Sequence, residues 1–303
     1  MKAPLTSRRT PTGSTRNSSL PRITVIGLGN WGMSLAATLL AAGLPLSEIV
    51  VKRLPARRSR GWNLTTVDRA LLDATVLWIC VPDGAIAEVA TRLVARRREL
   101  GLRLDGQIVL HSSGVLTVES LKAASDAGAQ VASVHPLMTF PTRKPVPLAG
   151  TPFAVESSDA LRRRLFALVR RLDGVPFRID SCNKILYHAA ATLASPLLLS
   201  GLVAAQRAAM LAGLSAKQAT RILAPIAAST VQNFNMRGAG ESFSGPIARG
   251  DIATIQLHLQ ALAAHPILFD VYRSLSRNAL EHLPSRKRDE LCRALAAGEA
   301  QQF

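Results

Sequence analysis

The sequence has few of the features that would place the protein in a membrane or in an oxidising compartment. Only three cysteines occur in 303 residues, at Cys80, Cys182 and Cys292. This wide spacing fits neither a disulfide framework nor a set of metal ligands, so we predict no metal site. No uninterrupted apolar run approaches the roughly 20 residues that cross a bilayer, and residues 1–20 lack the apolar block of a secretion signal. We expect a cytoplasmic protein without a membrane segment, preceded by a disordered tail at residues 1–20.

Acidic residues are scarce: 20 aspartates and glutamates accompany 37 lysines and arginines, so the formal net charge is +17. Such a balance is typical of proteins that neutralise nucleic-acid phosphates. However, aromatic residues, which would stack on bases, make up only 4% of the chain. The arginine runs at 96–98 and 162–164 also fall in amphipathic helical patterns. We therefore favour solvated helix faces or an anionic substrate over nucleic-acid binding, which stays a third alternative.

The stretch from Arg22 to Gly43 carries the main functional signal. A short β-branched strand, Ile23–Ile26, is followed by glycines in G-x-G-x-x-G spacing and then by helix-forming residues. In a dinucleotide-binding fold the first glycine permits a tight turn, the second lets the backbone approach a pyrophosphate, and the third lets helix and strand pack closely. The helix N-terminus then faces the phosphates. The predicted cofactor-binding residues of this cradle are Gly27, Gly29, Asn30, Trp31 and Gly32.

The end of the second predicted strand indicates which nicotinamide cofactor is bound. An acidic residue about 20 residues after the glycines would bind a ribose 2′-hydroxyl, whereas arginine accommodates a 2′-phosphate. Here Lys52 and Arg53 end a strand whose nearby carboxylate, Glu48, lies at its other end. Arg57 or Arg58 would support Arg53. The predicted cofactor is therefore NADP(H).

Polar residues follow three further predicted strands at their carboxyl ends. In chain order they are Pro82 and Asp83, then Ser112 and Ser113, and then His135. Strands alternating with helices indicate an α/β, doubly wound parallel sheet, whose ligands bind beyond the carboxyl ends of the strands. We therefore predict a Rossmann-type domain at 21–180, with Pro82 and Asp83 beside the cofactor and Ser112 beside the substrate. Asp83 could also cap the following helix, and the proline-rich segment 136–152 is expected to be an active-site loop.

The last part of the chain, residues 181–303, shows only helical segments, which predicts an all-α C-terminal domain. Its first helix, 181–212, is apolar on nearly all faces and is expected to be buried, with a kink at Pro196. The few remaining helices of one chain cannot cover it, so we expect a homodimer built on this domain. Arg249 could bind a substrate carboxylate near the partner's cleft, and Asp251 most simply caps the next helix.

Several motifs resemble one bacterial family. In chain order they are Gly27–Gly32, Val81–Asp83, His111–Gly114, Val134–Phe140, Tyr187–Ala191, Gly245–Asp251 and His258. From residue 22 to about 280 the sequence is similar to Rossmann-like proteins that carry a DUF2520 domain. Their plan is that of the 6-phosphogluconate dehydrogenase superfamily, which includes pyrroline-5-carboxylate and ketopantoate reductases. The resemblance implies a nicotinamide-binding domain and a helical C-terminal domain that often dimerises, with a reaction not settled for the family.

The resemblance also implies catalytic residues. The His-Pro context of His135 is similar to that of prephenate dehydrogenases, whose matching His lies at the substrate hydroxyl, and Ser113 matches a substrate-binding serine there. Lys184 and His188 share one helix face and are similar to a Lys and an Asn of β-hydroxyacid dehydrogenases. His135, with an ordinary pKa near 6.5, is best suited to supply a proton at neutral pH, while Lys184 would polarise the carbonyl oxygen. Purely structural roles for these side chains stay open.

We expect an NADPH-dependent oxidoreductase that transfers a hydride to or from a small, anionic carbonyl, imine or alcohol. The alternative is a non-catalytic NADP(H)-binding sensor or scaffold that kept the cradle and lost turnover. One departure from the family keeps that alternative open: similar proteins commonly have Asn where this chain has Pro196.

Overall fold

The structure, a computed structural model, describes residues 20–55 and 61–297. Since Leu20 is the first described residue, the predicted N-terminal tail otherwise lies outside the described residues, as do Arg57 and Arg58.

The described chain forms two compact units that divide between Ala191 and Thr192. We name them the sheet unit, which ends at Ala191, and the helical unit, which begins at Thr192. The sequence predicts a boundary earlier, between residues 180 and 181. The helix that begins at Lys184 nevertheless belongs to the sheet unit, because the Lys184 side chain is buried against the sheet.

The sheet unit contains an eight-stranded sheet in the order β3-β2-β1-β4-β5-β6-β7-β8. Its strands are β1 (Ile23–Ile26), β2 (Leu46–Val50), β3 (Leu64–Thr65), β4 (Val76–Ile79), β5 (Ile108–His111), β6 (Gln130–Pro136), β7 (Pro152–Ser157) and β8 (Val175–Arg178). Strands β1 to β6 are parallel, which confirms the predicted Rossmann-type sheet. The last two strands run the opposite way: β7 pairs antiparallel with β6. A parallel pair would need a crossover connection, whereas β6 and β7 are joined only by the irregular proline-rich loop.

Helices cover both faces of this sheet. They are α1 (Asn30–Ala41), α2 (Ile86–Glu99), α3 (Lys122–Asp126), α4 (Asp159–Arg171) and α5 (Lys184–Thr192). Alternate residues of one strand point to opposite faces, so Trp78 packs with Leu35 of α1 and Leu165 of α4, while Leu77 packs with Leu93 of α2. The central strands are therefore buried on both sides, as their β-branched sequences predict.

The helical unit contains α6 (Leu198–Leu211), α7 (Ala216–Ser242), α8 (Pro246–Arg249), α9 (Ile252–Leu262), α10 (Pro266–His282) and α11 (Arg288–Ala297). Its described residues contain no strand, which agrees with the predicted all-helical C-terminal region. Before α6 the chain makes a π-helical turn, Leu193–Leu197, that contains Pro196. The predicted interruption at this proline is therefore present, because proline cannot donate the backbone hydrogen bond of a regular α-helix.

The predicted burial of the helix at 181–212 is wrong. The stretch Ser181–Leu211 is long and apolar enough to cross a membrane by length and composition alone, yet none of its most apolar window is buried inside the chain. Leu186 and Leu199, for example, are 75% and 61% exposed. This exposure agrees with the expectation that the remaining helices of one chain cannot cover the helix.

Candidate active site

The glycine turn between β1 and α1 has the backbone geometry of a dinucleotide cradle. Gly27 adopts a φ of +102°, and a Cβ there would lie 2.7 Å from the carbonyl oxygen of Cys80. A Cβ on Gly32 would collide with the carbonyl oxygen of Gly27, so the close approach of helix and strand requires glycine. A Cβ on Gly29 would meet no atom within 4 Å. The turn thus leaves open space at the point where a phosphate would approach.

The N-terminus of α1 fits an anionic group. Gly29 occupies the N-cap position, and no side chain caps the helix there. The first-turn amides of α1 therefore point out of the helix without a capping side chain, and together with the helix dipole they favour a phosphate. This open, uncapped turn is the observation on which the fit of a dinucleotide rests.

A cavity of about 310 Å³ opens beside this turn at the carboxyl ends of the strands. It is lined by Gly29, Asn30, Trp31, Cys80, Val81, Pro82, Asp83, Ser112, His135, Pro136, Met138 and Phe140. Three elements that are distant in sequence thus meet in one site: the glycine turn, the ends of β4 to β6, and the proline-rich loop. Asn30 Nδ2 donates to the carbonyl oxygen of Phe140 at 2.7 Å, which fastens that loop to the cradle.

The hydroxyl of Ser112 joins two tryptophans in the wall of this cavity. Trp31 Nε1 and Trp78 Nε1 donate to Ser112 Oγ at 2.8 Å and 2.7 Å. Trp31 also packs against Phe140, with ring centroids 5.1 Å apart. The predicted substrate-binding Ser112 is therefore in the cavity.

The neighbouring serine has a different role from the predicted one. Ser113 is buried, and its hydroxyl donates to Asp83 Oδ2 at 2.8 Å while accepting from the backbone amides of Val115 and Leu116. Its oxygen is thus fully engaged, and we find no free donor for a substrate. Asp83 receives this bond instead of capping the following helix, so the pair fixes the turn after β4 to the turn after β5.

His135 lies in the cavity wall and contacts a tyrosine that the sequence did not assign. Its Nδ1 is 2.8 Å from the hydroxyl of Tyr187 on α5, and the two rings meet edge to face. His135 is the penultimate residue of β6 and does not follow the strand as predicted. The structure therefore places His135 and the glycine cradle around one space, with Tyr187 behind His135 as its hydrogen-bond partner.

The expected proton chemistry of His135 needs correction. Burial, together with the charges of His188 and Lys184, lowers the pKa of His135 to about 4. The imidazole is therefore neutral at pH 7 and cannot act there as a preformed cation, as its ordinary pKa near 6.5 suggested. Burial also raises the pKa of Tyr187 to about 12, so the tyrosine is protonated.

His188 and Gly114 complete the surroundings of His135. The ring centroids of His188 and His135 are 6.0 Å apart. A Cβ on Gly114 would lie 2.5 Å from His188 Cδ2 and 2.9 Å from His135 Nε2. Only glycine at position 114 leaves room for both imidazoles.

Lys184, predicted to polarise a substrate oxygen, is instead part of a buried network. It is 1% exposed, and its Nζ donates to Glu156 Oε2 at 2.9 Å, to Ser133 Oγ at 2.6 Å and to the carbonyl oxygen of Ser113 at 3.3 Å. All three ammonium hydrogens are used, so none faces the cavity. Burial lowers the pKa of Lys184, and Glu156 opposes this effect. Lys184 fastens α5 to the sheet and is not placed to contact a substrate.

The end of β2 keeps the predicted arrangement of charges. Lys52 and Arg53 follow β2 and are exposed. Glu48, in the middle of β2 and not at its start as predicted, is buried and accepts from the backbone amides of Leu71 and Leu72 at 3.2 Å and 2.7 Å. Its carboxylate is thus committed to the fold and unavailable to a ribose.

The predicted residues of the helical unit form a separate group. Asp251 caps α9, accepting from the amide of Thr254 at 3.2 Å and from its hydroxyl at 2.8 Å, so its expected capping role is confirmed. Arg249 ends the short helix α8 and is exposed. His258 Nδ1 lies 2.9 Å from the Tyr272 hydroxyl. A substrate-binding role for Arg249 stays a prediction.

The structure adds three residues that sequence reasoning did not assign. Tyr187 stood in a recognised motif but had no role. Glu156 binds Lys184, and His111, fully buried, accepts from the amide of Ser113 at its Nδ1 and lies 3.1 Å from the carbonyl oxygen of Thr117 at its Nε2. Within 20–55 and 61–297, no three His, Cys, Asp or Glu side chains group as metal ligands would.

Comparison with known families confirms the predicted resemblance. Residues 151–279 match DUF2520, a domain of unknown function. The match begins at β7 of the sheet unit and continues into the helices, whereas the sequence places this domain at 181–303. Among curated protein sequences, none matches this chain.

Solved structures of similar fold include reductases, at low sequence identity. A provisionally named NADP oxidoreductase of Bacteroides fragilis superposes with a TM-score of 0.67 at 20% identity, covering 86% of this chain and 97% of that protein. The reductive aminase of Aspergillus terreus in complex with NADPH and ethyl-5-oxohexanoate gives 0.60 at 17% identity, covering 90% and 98%. Pyrroline carboxylate reductase of Plasmodium falciparum with NADP bound gives 0.57 at 13% identity, covering 92% and 97%. These likenesses show that the chain has the fold of such proteins.

Proposed function

We propose that this protein is an NADP(H)-dependent oxidoreductase that acts on a small, anionic carbonyl, imine or alcohol. The observation that carries the proposal is that one cavity is lined both by the uncapped glycine turn and by His135, whose Nδ1 is hydrogen-bonded to Tyr187. A nicotinamide cofactor needs the first feature, and proton transfer to or from the oxygen or nitrogen on the reacting carbon needs the second. The fold shared with proteins that hold NADP or NADPH supports the same assignment.

In this proposal the bound cofactor supplies or accepts the hydride, and His135 handles the proton. The neutral imidazole suits either direction, since it can accept a proton from an alcohol or donate its N–H to a forming alkoxide or amine. We assign the hydrogen of the 2.8 Å bond to the Tyr187 hydroxyl, which leaves the ring hydrogen on Nε2. When His135 donates from Nε2, Tyr187 can return a hydrogen to Nδ1, and solvent reprotonates the half-buried phenol.

The cofactor should be NADP(H) because Lys52 and Arg53 offer cations to a 2′-phosphate while Glu48 is turned into the fold.

The three cysteines are free in the described residues, as a reducing cytoplasm would keep them.

Calorimetric titration of the wild type with NADPH, followed by NADPH absorbance in the presence of 2-oxo acids and imino acids, tests this function. We expect NADPH binding and its oxidation by at least one member of the panel. Tight binding with no turnover would favour the sensor or scaffold alternative. An absence of binding would refute both.

We also propose that the protein is a homodimer built on the helical unit. Large apolar residues on α6 and α7 are exposed, among them Leu199 at 61%, Ile226 at 65% and Phe234 at 61%. Patches of this kind on one chain mark an interaction surface, and a second copy offers a matching apolar face. Light scattering should give twice the monomer mass at micromolar concentration. A monomer, or a protein that sediments with lipid vesicles, would contradict the dimer.

A further inference from the structure

The hydroxyl of Ser112 has only one direction left in which to bond. A serine oxygen has two acceptor lone pairs and one hydrogen to donate. The indole N–H groups of Trp31 and Trp78 occupy both lone pairs, at 2.8 Å and 2.7 Å. An indole nitrogen is a donor only, so neither bond can be reversed. Ser112 therefore presents a hydrogen, and nothing else, to any further partner.

The structure leaves little competition for that hydrogen. Ser112 and Cys80 are in contact, and both line the cavity. Burial raises the pKa of the Cys80 thiol, so it stays protonated, and its sulfur lies 3.7 Å from the carbonyl oxygen of Trp78. A thiol sulfur is a weak acceptor. A carbonyl oxygen placed in the cavity would be a stronger partner for the serine hydrogen.

The place of Ser112 along the sheet indicates which carbonyl this is. The cradle follows β1, Ser112 follows β5, and β4 lies between them. Two strand spacings separate the cradle from Ser112, about 10 Å, which a ribose and its ring can span from a pyrophosphate in the cradle. His135 lies one strand further, on β6, where a substrate would meet the far side of the ring.

We propose that Ser112 is an obligatory hydrogen-bond donor to the carboxamide oxygen of the nicotinamide ring, held in that role by Trp31 and Trp78. This inference rests on the proposed cofactor. The bond fixes the rotation of the ring about its glycosidic bond, so Ser112 selects the ring face that meets His135. Ser112 is thus a cofactor-orienting residue, whereas the sequence assigned it to the substrate.

The wild-type protein provides a test that needs no variant. Its affinity for NADP⁺ is compared with that for the thionicotinamide analogue of NADP⁺, in which sulfur replaces the carboxamide oxygen. Because oxygen accepts a hydrogen bond more strongly than sulfur, NADP⁺ should bind about three- to tenfold more tightly than the thio analogue. Equal affinities would overturn the proposal.

Variants then assign the effect to Ser112. Ser112→Ala should bind NADP⁺ about three- to tenfold more weakly and lose the discrimination against the thio analogue. Its affinity for 2′-phospho-ADP-ribose, which lacks the nicotinamide, should stay unchanged and so report an intact fold. Ser112→Thr should restore both properties, and Ser157→Ala, at the end of β7, is the matched control.

The outcomes separate this inference from the proposed function. A wild type that binds neither NADP⁺ nor 2′-phospho-ADP-ribose refutes the cofactor, and the role of Ser112 with it. A Ser112→Ala variant that binds NADP⁺ as tightly as the wild type, with discrimination retained, refutes the role of Ser112 alone.

Discussion

The sheet unit and the helical unit treat their apolar residues in opposite ways. In the sheet unit, the apolar side chains of β1, β4 and β5 are buried beneath helices on both faces. The core of the helical unit is small, and its buried members are Ile255, Leu259, Phe269, Leu280, Leu291 and Leu295. Helices α6 and α7 contribute little to it and expose large apolar side chains. The sheet unit encloses its apolar strands, whereas the helical unit leaves large apolar side chains exposed.

The same contrast holds for polar groups. The sheet unit encloses the ion pair of Lys184 and Glu156, with 1% and 5% of the side chains exposed. The ion pair of Arg288 and Glu281 in the helical unit is largely exposed. Because buried charges interact strongly and exposed ones weakly, single substitutions should be costly in the sheet unit and mild in the helical unit, except on the apolar face.

The largest expected effect is on turnover. His135→Ala removes the proton-handling side chain and should lower turnover by about 10²- to 10⁴-fold, with NADPH affinity unchanged. Tyr187→Phe keeps the aromatic ring but removes the hydroxyl that bonds to His135, and it should lower turnover by about tenfold. Steady-state NADPH oxidation checks both. His282→Ala, at the exposed end of α10, is the control, and a His135→Ala variant within a few-fold of wild type would show that the site lies elsewhere.

Stability should be most sensitive at the buried ion pair. Lys184→Met leaves Glu156 charged and unpaired, which should cost about 3–5 kcal/mol in the free energy of unfolding. Adding Glu156→Leu removes the stranded charge and should recover part of that loss, because the amide of Val118 and the hydroxyl of Ser181 then lose their acceptor. Urea unfolding measures both variants. A Lys184→Met variant as stable as the wild type would mean that the ion pair adds nothing to the stability of the sheet unit.

The sheet unit should also lose stability as the pH falls. Burial lowers the pKa of His111 to about 4, so between pH 6.5 and 4 the unfolded chain binds a proton that the folded chain does not. Stability therefore rises with pH through this window, and His111 should account for a loss of about 2 kcal/mol between pH 7 and pH 5. Urea unfolding at a series of pH values gives the slope. His135 has a similarly lowered pKa, so His111→Asn should remove about half of the slope that the two histidines produce. A slope unchanged in that variant would assign the effect to other groups.

The apolar face of the helical unit gives the converse test. Ile226→Glu places a charge on this face and should raise the dimer dissociation constant at least about 100-fold, or 2.7 kcal/mol, while NADPH binding by the sheet unit persists. Light scattering over a dilution series measures it. Leu102→Glu, which makes the same kind of change at an exposed site of the sheet unit, should leave the mass unchanged. A dimer that survives Ile226→Glu would place the interface on another surface.

The smallest expected effect is the choice of cofactor. With Arg53 present, NADPH should bind at least about tenfold more tightly than NADH, or 1.4 kcal/mol, and Arg53→Asp should abolish this preference. Calorimetry with both nucleotides decides. Equal affinities in the wild type would contradict the role of the basic pair.

The parts of the site that could be predicted are those held together by local sequence. The glycine turn is encoded in six consecutive residues, and the strand ends follow from strands that alternate with helices. The contacts that decide each side chain's role are not local. Tyr187 meets His135 across 52 residues, and Lys184 meets Glu156 across 28. The second contact also depends on β7 running antiparallel to β6, which no periodicity in the sequence indicates.

For the helix at 181–212, periodicity predicts only part of what the structure shows. It correctly indicates that the helix is long and apolar. It cannot report what lies against the helix, because that depends on the remaining elements and on other molecules. The lowered pKa of His135 could not be predicted for the same reason, because it depends on burial and on neighbouring charges.

The shared hydroxyl of Ser112 has a spectroscopic consequence. Two of the three tryptophans in the chain, Trp31 and Trp78, bond to one oxygen, and their ring centroids are 6.1 Å apart. Indole emission responds to the hydrogen bond at its nitrogen, and the hydrogen of Ser112 polarises that oxygen according to what occupies the cavity. We therefore expect the emission of Trp31 and Trp78 to change when a ligand bonds to Ser112, without any label.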